Sequence, residues 1–360
     1  MIKLNINLKE RSYPIYITTD YSDLKSSLDN AKINGKLVVI TDSNVDKYQS
    51  QQCIDALRNY EGEVFKYVIP AGEKSKNLDT IRDIYEYLIS LKLDRNSTLV
   101  ALGGGVVGDI TGFAAATFLR GINFVQIPTS LLAQSDSSVG GKVGVDFNGS
   151  KNIIGAFYQP KFVYININTL RTLPKRELQA GLAEVVKHGI IQDAEFFDYI
   201  DYNVNKIFSF DESVLQYITK VNCSIKGNVV EKDEKESGLR ANLNFGHTIG
   251  HAIETVMNFE LLHGECVSLG IVAAFRMAQY LEMIESDLVD KVKNTLMKIG
   301  LPVKLENIDV DQVYNQMFYD KKIKGNKLTF ILPRKNIGEV IQCTIDDEAL
   351  IKRAIADLKA

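Results

Sequence analysis

Ser97-Thr-Leu-Val-Ala-Leu-Gly-Gly-Gly-Val-Val-Gly108, running into Asp109-Ile-Thr-Gly-Phe-Ala-Ala-Ala116, is the stretch that decides the fold. A short apolar run rich in β-formers stops at glycines and opens a helix-forming segment, which is how a strand hands over to a helix in an α/β unit. Gly103, Gly105 and Gly108 satisfy G-x-G-x-x-G. Glycines at that spacing let backbone N–H groups approach a pyrophosphate, and the helix N-terminus favours its charge. The same cluster also makes an ordinary tight turn, so on its own it leaves both readings open. It departs from the standard dinucleotide fingerprint in being third along the chain instead of first. The following strand, Asn123-Phe-Val-Gln-Ile127, carries no acid for a ribose.

Working outward, the texture repeats. Leu37-Val-Val-Ile40 leads to Thr41-Asp42-Ser43-Asn44, and Phe65-Lys-Tyr-Val-Ile69 leads to Pro70-Ala-Gly72-Glu73. Strands alternating with helices predict a largely parallel, Rossmann-like sheet, with Asp42 at a strand end able to meet ribose hydroxyls. A dinucleotide crossing the strand ends would touch Asp42, Gly72 to Lys76, Gly104 to Asp109 and Thr129-Ser130. After Pro174 the pattern becomes apolar every three or four positions, in Glu177 to His188, Asp211 to Val230 and Glu265 to Glu282, so the second half reads as helical. Pro174 suits the first position of a helix. The expected architecture is therefore α/β followed by all-α, with residues 1–170 as a nucleotide-binding domain and 171–360 as a helical domain.

With 360 residues, 45% hydrophobic and 24% charged, the chain has the composition of a soluble globular protein. A net charge of -3 and a pI of 5.9 argue against nucleic acid or an anionic membrane as partner. Cys53, Cys223, Cys266 and Cys343 lack disulfide or C-x-x-C spacing and are expected as reduced thiols. The N-terminus alternates like a strand, and no apolar run approaches the roughly 18 residues of a membrane span, so the expected compartment is the cytoplasm.

The chemistry is concentrated elsewhere. Asn242-Leu-Asn-Phe-Gly-His247-Thr-Ile-Gly-His251-Ala-Ile-Glu254, with His263-Gly-Glu265, gathers three of the four histidines. His247 and His251 share a helical face, a spacing that suits either a divalent metal or mere hydrogen-bonded filler. The fourth, His188, lies in Ala183-Glu184-Val-Val-Lys187-His188-Gly, where carboxylate, amine and imidazole share one face. Gln134-Ser-Asp136-Ser-Ser-Val-Gly-Gly141-Lys142 and Lys151-Asn152-Ile-Ile-Gly155 read as glycine-rich loop suited to wrapping an anion. Arg120, Lys187, Lys226, Arg240 and Asn244 add donors. Such a set is what a ligand bearing both phosphate and carboxylate needs. The charge run Glu231-Lys-Asp-Glu-Lys-Glu236 reads as a solvated end.

Taken together, Gly103-Gly-Gly-Val-Val-Gly-Asp109, Ser135-Asp-Ser-Ser-Val-Gly-Gly-Lys142, Lys151-Asn-Ile-Ile-Gly155, Ala183-Glu-Val-Val-Lys-His-Gly189, Leu243-Asn-Phe-Gly-His-Thr-Ile-Gly-His251 and His263-Gly-Glu265 closely resemble the 3-dehydroquinate synthase family, from about Asp42 to the Asp320-Lys321-Lys322 region. The resemblance implies an N-terminal NAD-binding domain, a C-terminal helical domain holding one divalent metal, Zn²⁺ or Co²⁺, a homodimer, and a place in the shikimate route to chorismate. It moves the metal ligands to Glu184, His247 and His263, and gives His251 to the substrate phosphate. It implies contacts to NAD from Asp42, Gly72, Glu73, Lys74, Ser75, Lys76, Gly104, Gly105, Val106, Val107, Gly108, Asp109, Thr129, Ser130, Lys142, Lys151, Thr169, Leu170, Arg171 and Thr172. Lys226 and Arg240 would hold a substrate carboxylate. Lys142, Asn152, Asn244, His251 and Lys321 or Lys322 would form the phosphate pocket, with Arg120 entering from the partner subunit. Lys187, Asn244, His251 and Asp136 would be catalytic; His188 receives no role.

The implied reaction converts 3-deoxy-D-arabino-heptulosonate 7-phosphate to 3-dehydroquinate and phosphate through transient oxidation, elimination, reduction, ring opening and aldol closure. A metal-dependent polyol dehydrogenase would share the glycine run and the helical metal domain, but Lys142, Lys151, Lys226 and Arg240 would have no purpose for an uncharged polyol. A sister sugar-phosphate cyclase acting on a substrate without a carboxylate would not need Lys226 and Arg240. A catalytically dead nucleotide-binding regulator would not need every ligand position filled.

Overall fold

The structure is a computed structural model, and residues 1–236, 238–319 and 328–360 are described. The chain runs β1 (Ile2–Ile6), β2 (Tyr13–Thr18), α1 (Leu24–Asn30), β3 (Leu37–Asp42), α2 (Gln51–Ala56), β4 (Val64–Ile69), α3 (Leu78–Ser90), β5 (Thr98–Gly103), α4 (Gly105–Thr117), β6 (Asn123–Pro128), β7 (Lys142–Phe147), β8 (Ser150–Phe157) and β9 (Val163–Asn166). It continues through α5 (Lys175–Gln192), α6 (Ala194–Phe208), α7 (Glu212–Lys232), α8 (His247–Val256), α9 (His263–Tyr280), α10 (Ser286–Ile299), α11 (Val310–Tyr319), β10 (Thr329–Arg334), β11 (Asn336–Thr344) and α12 (Glu348–Ala356). Two compact units result: Met1–Pro174 with Phe210–Glu231, and Lys175–Ser209 with Lys232–Ala360.

In the first unit the described strands order as β1-β2-β9-β6-β5-β3-β4, all parallel except β1 against β2. Strands buried on both faces read as continuous apolar runs, as β3, β5 and β9 do. Alternate residues feed two cores, Val38 and Ile40 packing with Ile110 and Phe124 on one face, Leu37 and Val39 with Val125 and Tyr164 on the other. From β3 the chain first steps outward to β4, then returns to the other side of β3 as β5 and proceeds to β6. The strand order therefore reverses between β3 and β5, and a crevice for a ligand is expected outside their C-terminal ends. Asp42 and Gly103 are those two ends.

α7 packs in this unit because its buried polar residues reach the 134–136 backbone: Asn222 Nδ2 donates to Ser135 O at 2.5 Å and Cys223 Sγ to Gln134 O at 3.3 Å. The basic stretch from Lys142 to Gly155, expected as loop, is the antiparallel hairpin β7–β8. Gly144 and Gly155 face one another there, where a Cβ on either would meet opposing backbone oxygen at 2.6 or 2.5 Å. They serve strand pairing, not loop flexibility. The second unit is mainly helical and adds the antiparallel hairpin β10–β11. All four cysteines are free thiols. No helix of the described residues is long and apolar enough to cross a membrane.

Candidate active site

The sheet edge in the first unit is built by backbone. Gly104 is extended and caps α4, whose first bond runs from Gly108 N–H to Gly104 O at 3.0 Å. Side chains would be tight at two of these glycines: a Cβ on Gly105 lies 3.2 Å from Ser137 Oγ and on Gly108 3.1 Å from Gln126 Oε1, while one on Gly104 would touch Ser130 Oγ at an ordinary 3.4 Å. Val106 and Val107 continue the first turn, with Val107 buried. Beside it, Thr129 N–H donates to Gly103 O at 3.0 Å, and Ser130 Oγ accepts from Ala133 N–H at 3.3 Å. Asp42 Oδ1 accepts from the Asn44 and Val45 amides at 2.8 and 3.0 Å, which fixes the loop after β3. Gly72, at φ 106°, turns the chain into Glu73, Lys74 and Ser75.

Lys76, buried, donates to Asp109 Oδ2 at 2.6 Å and Asn152 Oδ1 at 2.5 Å. Burial pushes the Asp109 carboxyl up to about 6 in spite of that ammonium. Asn152 lies at φ 53° and its amide N–H donates to Asp146 Oδ1 at 2.7 Å. Exposed Lys151 lies 3.8 Å from Glu73. Thr169 and Thr172 are tied by a hydroxyl bond at 3.0 Å; Leu170 is buried, and Arg171 hydrogen-bonds Asn168 Oδ1 at 2.8 Å. Lys226 donates to both the backbone and side chain of Asp136 at 2.6 Å. Lys142 opens β7 and Arg120, at φ 68°, is exposed.

In the second unit, α5, α8 and α9 bring an acid and imidazoles together. Glu184 Oε1 lies 3.5 Å from His247 Nε2 and 3.4 Å from His263 Nε2. The His247 ring centre is 5.1 Å from His251 and 5.2 Å from His263. His247 Nδ1 pairs with Phe245 O at 3.0 Å, so Nδ1 carries the proton and Nε2 is left basic towards Glu184. His263 Nδ1 lies 3.5 Å from Glu254 Oε2. Lys187, one turn from Glu184, forms an ion pair with its Oε2. Among the described residues neither Glu184 oxygen, both buried, accepts a well-formed hydrogen bond.

Burial alone would raise the Glu184 carboxyl, yet Lys187 and the imidazoles hold it well below the usual carboxylate range. Burial and the Lys187 ammonium push His247 well below an ordinary imidazole. For His263 burial pulls down, but the Glu184 and Glu254 carboxylates win and raise it to about 9.

A cleft of 190 Å³ opens beside this centre, lined by Asn244, His247, Thr248, His251, Ala252, Thr255, Gln316 and Met317. Asn244 Nδ2 donates to Glu236 Oε1 at 3.0 Å. Buried Arg240 donates from Nη1 to Glu234 O at 2.6 Å. His188 is buried on α5. Lys321 and Lys322 lie outside the described residues. Sequence reasoning passed over Glu254, although it stands two turns from His247 on the same face of α8, and over Arg176. The Arg176 guanidinium grips both oxygens of Glu265 at 2.7 Å, while Glu265 Oε2 accepts from Leu262 N–H at 2.8 Å and so caps the helix that begins at His263.

Residues 66–180 match the sequence family described as "3-dehydroquinate synthase N-terminal", and residues 181–323 that described as "3-dehydroquinate synthase C-terminal". The chain belongs to the 3-dehydroquinate synthase family. It is 77% identical over 358 residues to the 3-dehydroquinate synthase of Acetivibrio thermocellus, covering 99% of each chain. Among solved structures it is similar to 2-epi-5-epi-valiolone synthase from Streptomyces hygroscopicus subsp. jinggangensis 5008 with NAD⁺ and Zn²⁺ bound, at TM-score 0.90, 25% identity and 98% coverage of both chains. It is also similar to 2-deoxy-scyllo-inosose synthase complexed with carbaglucose-6-phosphate, NAD⁺ and Co²⁺, at TM-score 0.89 and 26% identity, covering 98% of this chain and 99% of that one. The expected parallel-sheet domain followed by a helical domain is the architecture of these 3-dehydroquinate synthase-like structures.

Proposed function

We infer that the chain works as a 3-dehydroquinate synthase, converting 3-deoxy-D-arabino-heptulosonate 7-phosphate to 3-dehydroquinate and phosphate in the shikimate route. The observation that carries the reading is Glu184 between His247 and His263, a buried carboxylate with two imidazole Nε2 atoms within 3.5 Å and no well-formed hydrogen bond among the described residues. Lys187 meets Oε2, while Oε1 faces the two imidazole nitrogens at distances too long for good hydrogen bonds, as in a site built for a cation. One carboxylate and two imidazoles are a donor set for Zn²⁺ or Co²⁺ that leaves coordination positions for substrate. The glycine turn at Gly104 and Gly105, at the point where strand order reverses, suits the pyrophosphate of NAD, with Asp42 for a ribose.

When bound, NAD supplies reversible hydride exchange at a substrate carbon and the metal supplies Lewis acidity to substrate hydroxyls. The chain's own groups do the rest. Lys187 keeps Glu184 ionised and lends positive charge to developing oxyanions. Asn244 and His251, which line the cleft, position transferring protons and hydrogen-bond the phosphate. Lys142, Asn152 and Lys321 are assigned to the phosphate, Lys226 and Arg240 to the carboxylate, with Asp136 orienting Lys226. Arg120 completes the phosphate pocket from the second copy of a homodimer, and the enzyme works in the cytoplasm. Residues 1–170 serve the nucleotide and residues 171–360 the metal.

The test is incubation with the heptulosonate phosphate and catalytic NAD⁺, with and without chelator. Stoichiometric phosphate without lasting NADH absorbance is expected, abolished by chelator; accumulating NADH would mark a dehydrogenase instead. Glu184→Gln should lose metal and turnover together, measured as metal content after dialysis and phosphate release. A metal-depleted Glu184→Gln protein with full activity would refute the assignment.

A further inference from the structure

We propose that Glu254 is a positioning residue that holds His263 in the tautomer and orientation needed to bind the metal; this rests on the reading of Glu184, His247 and His263 as ligands. His263 spans two carboxylates, one through each ring nitrogen: Nε2 is 3.4 Å from Glu184 Oε1 and Nδ1 is 3.5 Å from Glu254 Oε2. An imidazole that ligates through Nε2 must carry its proton on Nδ1, and the group facing Nδ1 then fixes the tautomer and the ring plane. For His247 that group is a backbone carbonyl, Phe245 O at 3.0 Å. For His263, the first residue of α9, it is the carboxylate of Glu254.

Two features of Glu254 fit this role. It is 5% exposed, and a buried carboxylate requires a partner that offsets its lost hydration. It also sits near the C-terminus of α8, where a negative charge opposes the helix dipole. The His263 imidazole 3.5 Å away supplies such a partner, and a carboxylate kept at an unfavourable helix end beside a ligand set fits a supporting role. His247, His251 and Glu254 fall at i, i+4 and i+7, so one face of α8 carries a ligand, a cleft residue and the support of a ligand on α9.

The experiment measures Co²⁺ affinity by chelator competition, together with the visible Co²⁺ absorption and the melting temperature of the metal-free proteins. Glu254→Ala is expected to weaken Co²⁺ binding about 10–100-fold, the usual effect of removing such a partner, and to shift the Co²⁺ bands. Glu254→Gln, which keeps the size and a carbonyl acceptor, is expected to recover part of the loss and serves where the alanine protein does not fold. Because Glu254 acts through His263, adding Glu254→Ala to His263→Ala should cost no further affinity. Wild-type affinity and bands in both Glu254 variants, or losses that multiply in the double variant, would overturn the proposal. Unchanged affinity in His263→Ala alone would sink the ligand assignment itself.

Discussion

His247 and His263 are both close to Glu184, yet their charges are driven in opposite directions, and this has a measurable consequence. Burial and the Lys187 ammonium hold His247 neutral against the pull of the Glu184 carboxylate, and its Nδ1 faces a neutral carbonyl. His263 lies between two carboxylates and is raised from 6.5 to about 9. In the metal-free protein the His263 contribution to stability is complete below pH 6.5 and is lost as pH rises through about 9. A ligating imidazole must be neutral, so metal uptake between these values expels one proton, and apparent affinity should climb towards tenfold per pH unit. Calorimetry at pH 7.5 in two buffers of different ionisation enthalpy reads that proton; uptake with none released would mean His263 is already neutral. The spacing of His247 and His251 was legible because it lies within one helix. That Glu184 is the acid His247 meets was not legible from spacing, because α5 and α8 are joined only by packing; the family motifs supplied it.

At the scale of elements, the centre exists because three helices approach one another at glycines. A Cβ on Gly264 would lie 2.0 Å from Ala180 O on α5, and one on Gly270 would lie 1.9 Å from Gly246 O at the start of α8. No real side chain sits at such distances, so an alanine must push the backbones apart. Gly264 adjoins His263, and Ala180 is one turn from Glu184. Gly264→Ala is therefore expected to cost about 1–3 kcal/mol of stability and to drop metal affinity with it, read as a lower urea midpoint and metal lost on dialysis. Gly270→Ala should give a similar midpoint loss through the α8 contact. A Gly264→Ala protein with wild-type midpoint and metal content would show that this approach is incidental. Glycine illustrates why some elements were readable and others not. Before α4 it followed a clear apolar strand, and its role in opening a helix was evident. In Gly144 and Gly155 the same residue allows strands to pair closely, which looks identical to a loop until the partner strand is known.

Across the whole molecule, period and punctuation revealed the parallel sheet and the long helices, since each is a local pattern. They did not reveal that α7 leaves the run of later helices to pack on the 134–136 segment, because that depends on Asn222, Cys223 and Lys226 finding backbone and acid some ninety residues earlier. The same logic of distant partners governs stability. A cation held by Glu184, His247 and His263 ties α5, α8 and α9 together, and binds the folded chain only, since the unfolded chain cannot gather those three groups. At free metal 100-fold above Kd, such binding stabilises by about 2.7 kcal/mol. With about 2–4 °C of melting temperature per kcal/mol for domains of 150–250 residues, chelator should lower the midpoint by roughly 5–11 °C. At the same free metal the His263→Ala protein, which binds more weakly, should show a much smaller shift with chelator. A thermal scan of the wild-type chain that does not move when saturating metal is stripped would mean that no cation joins these helices. The buried Glu184 would then be held by Lys187 and the protonated His263.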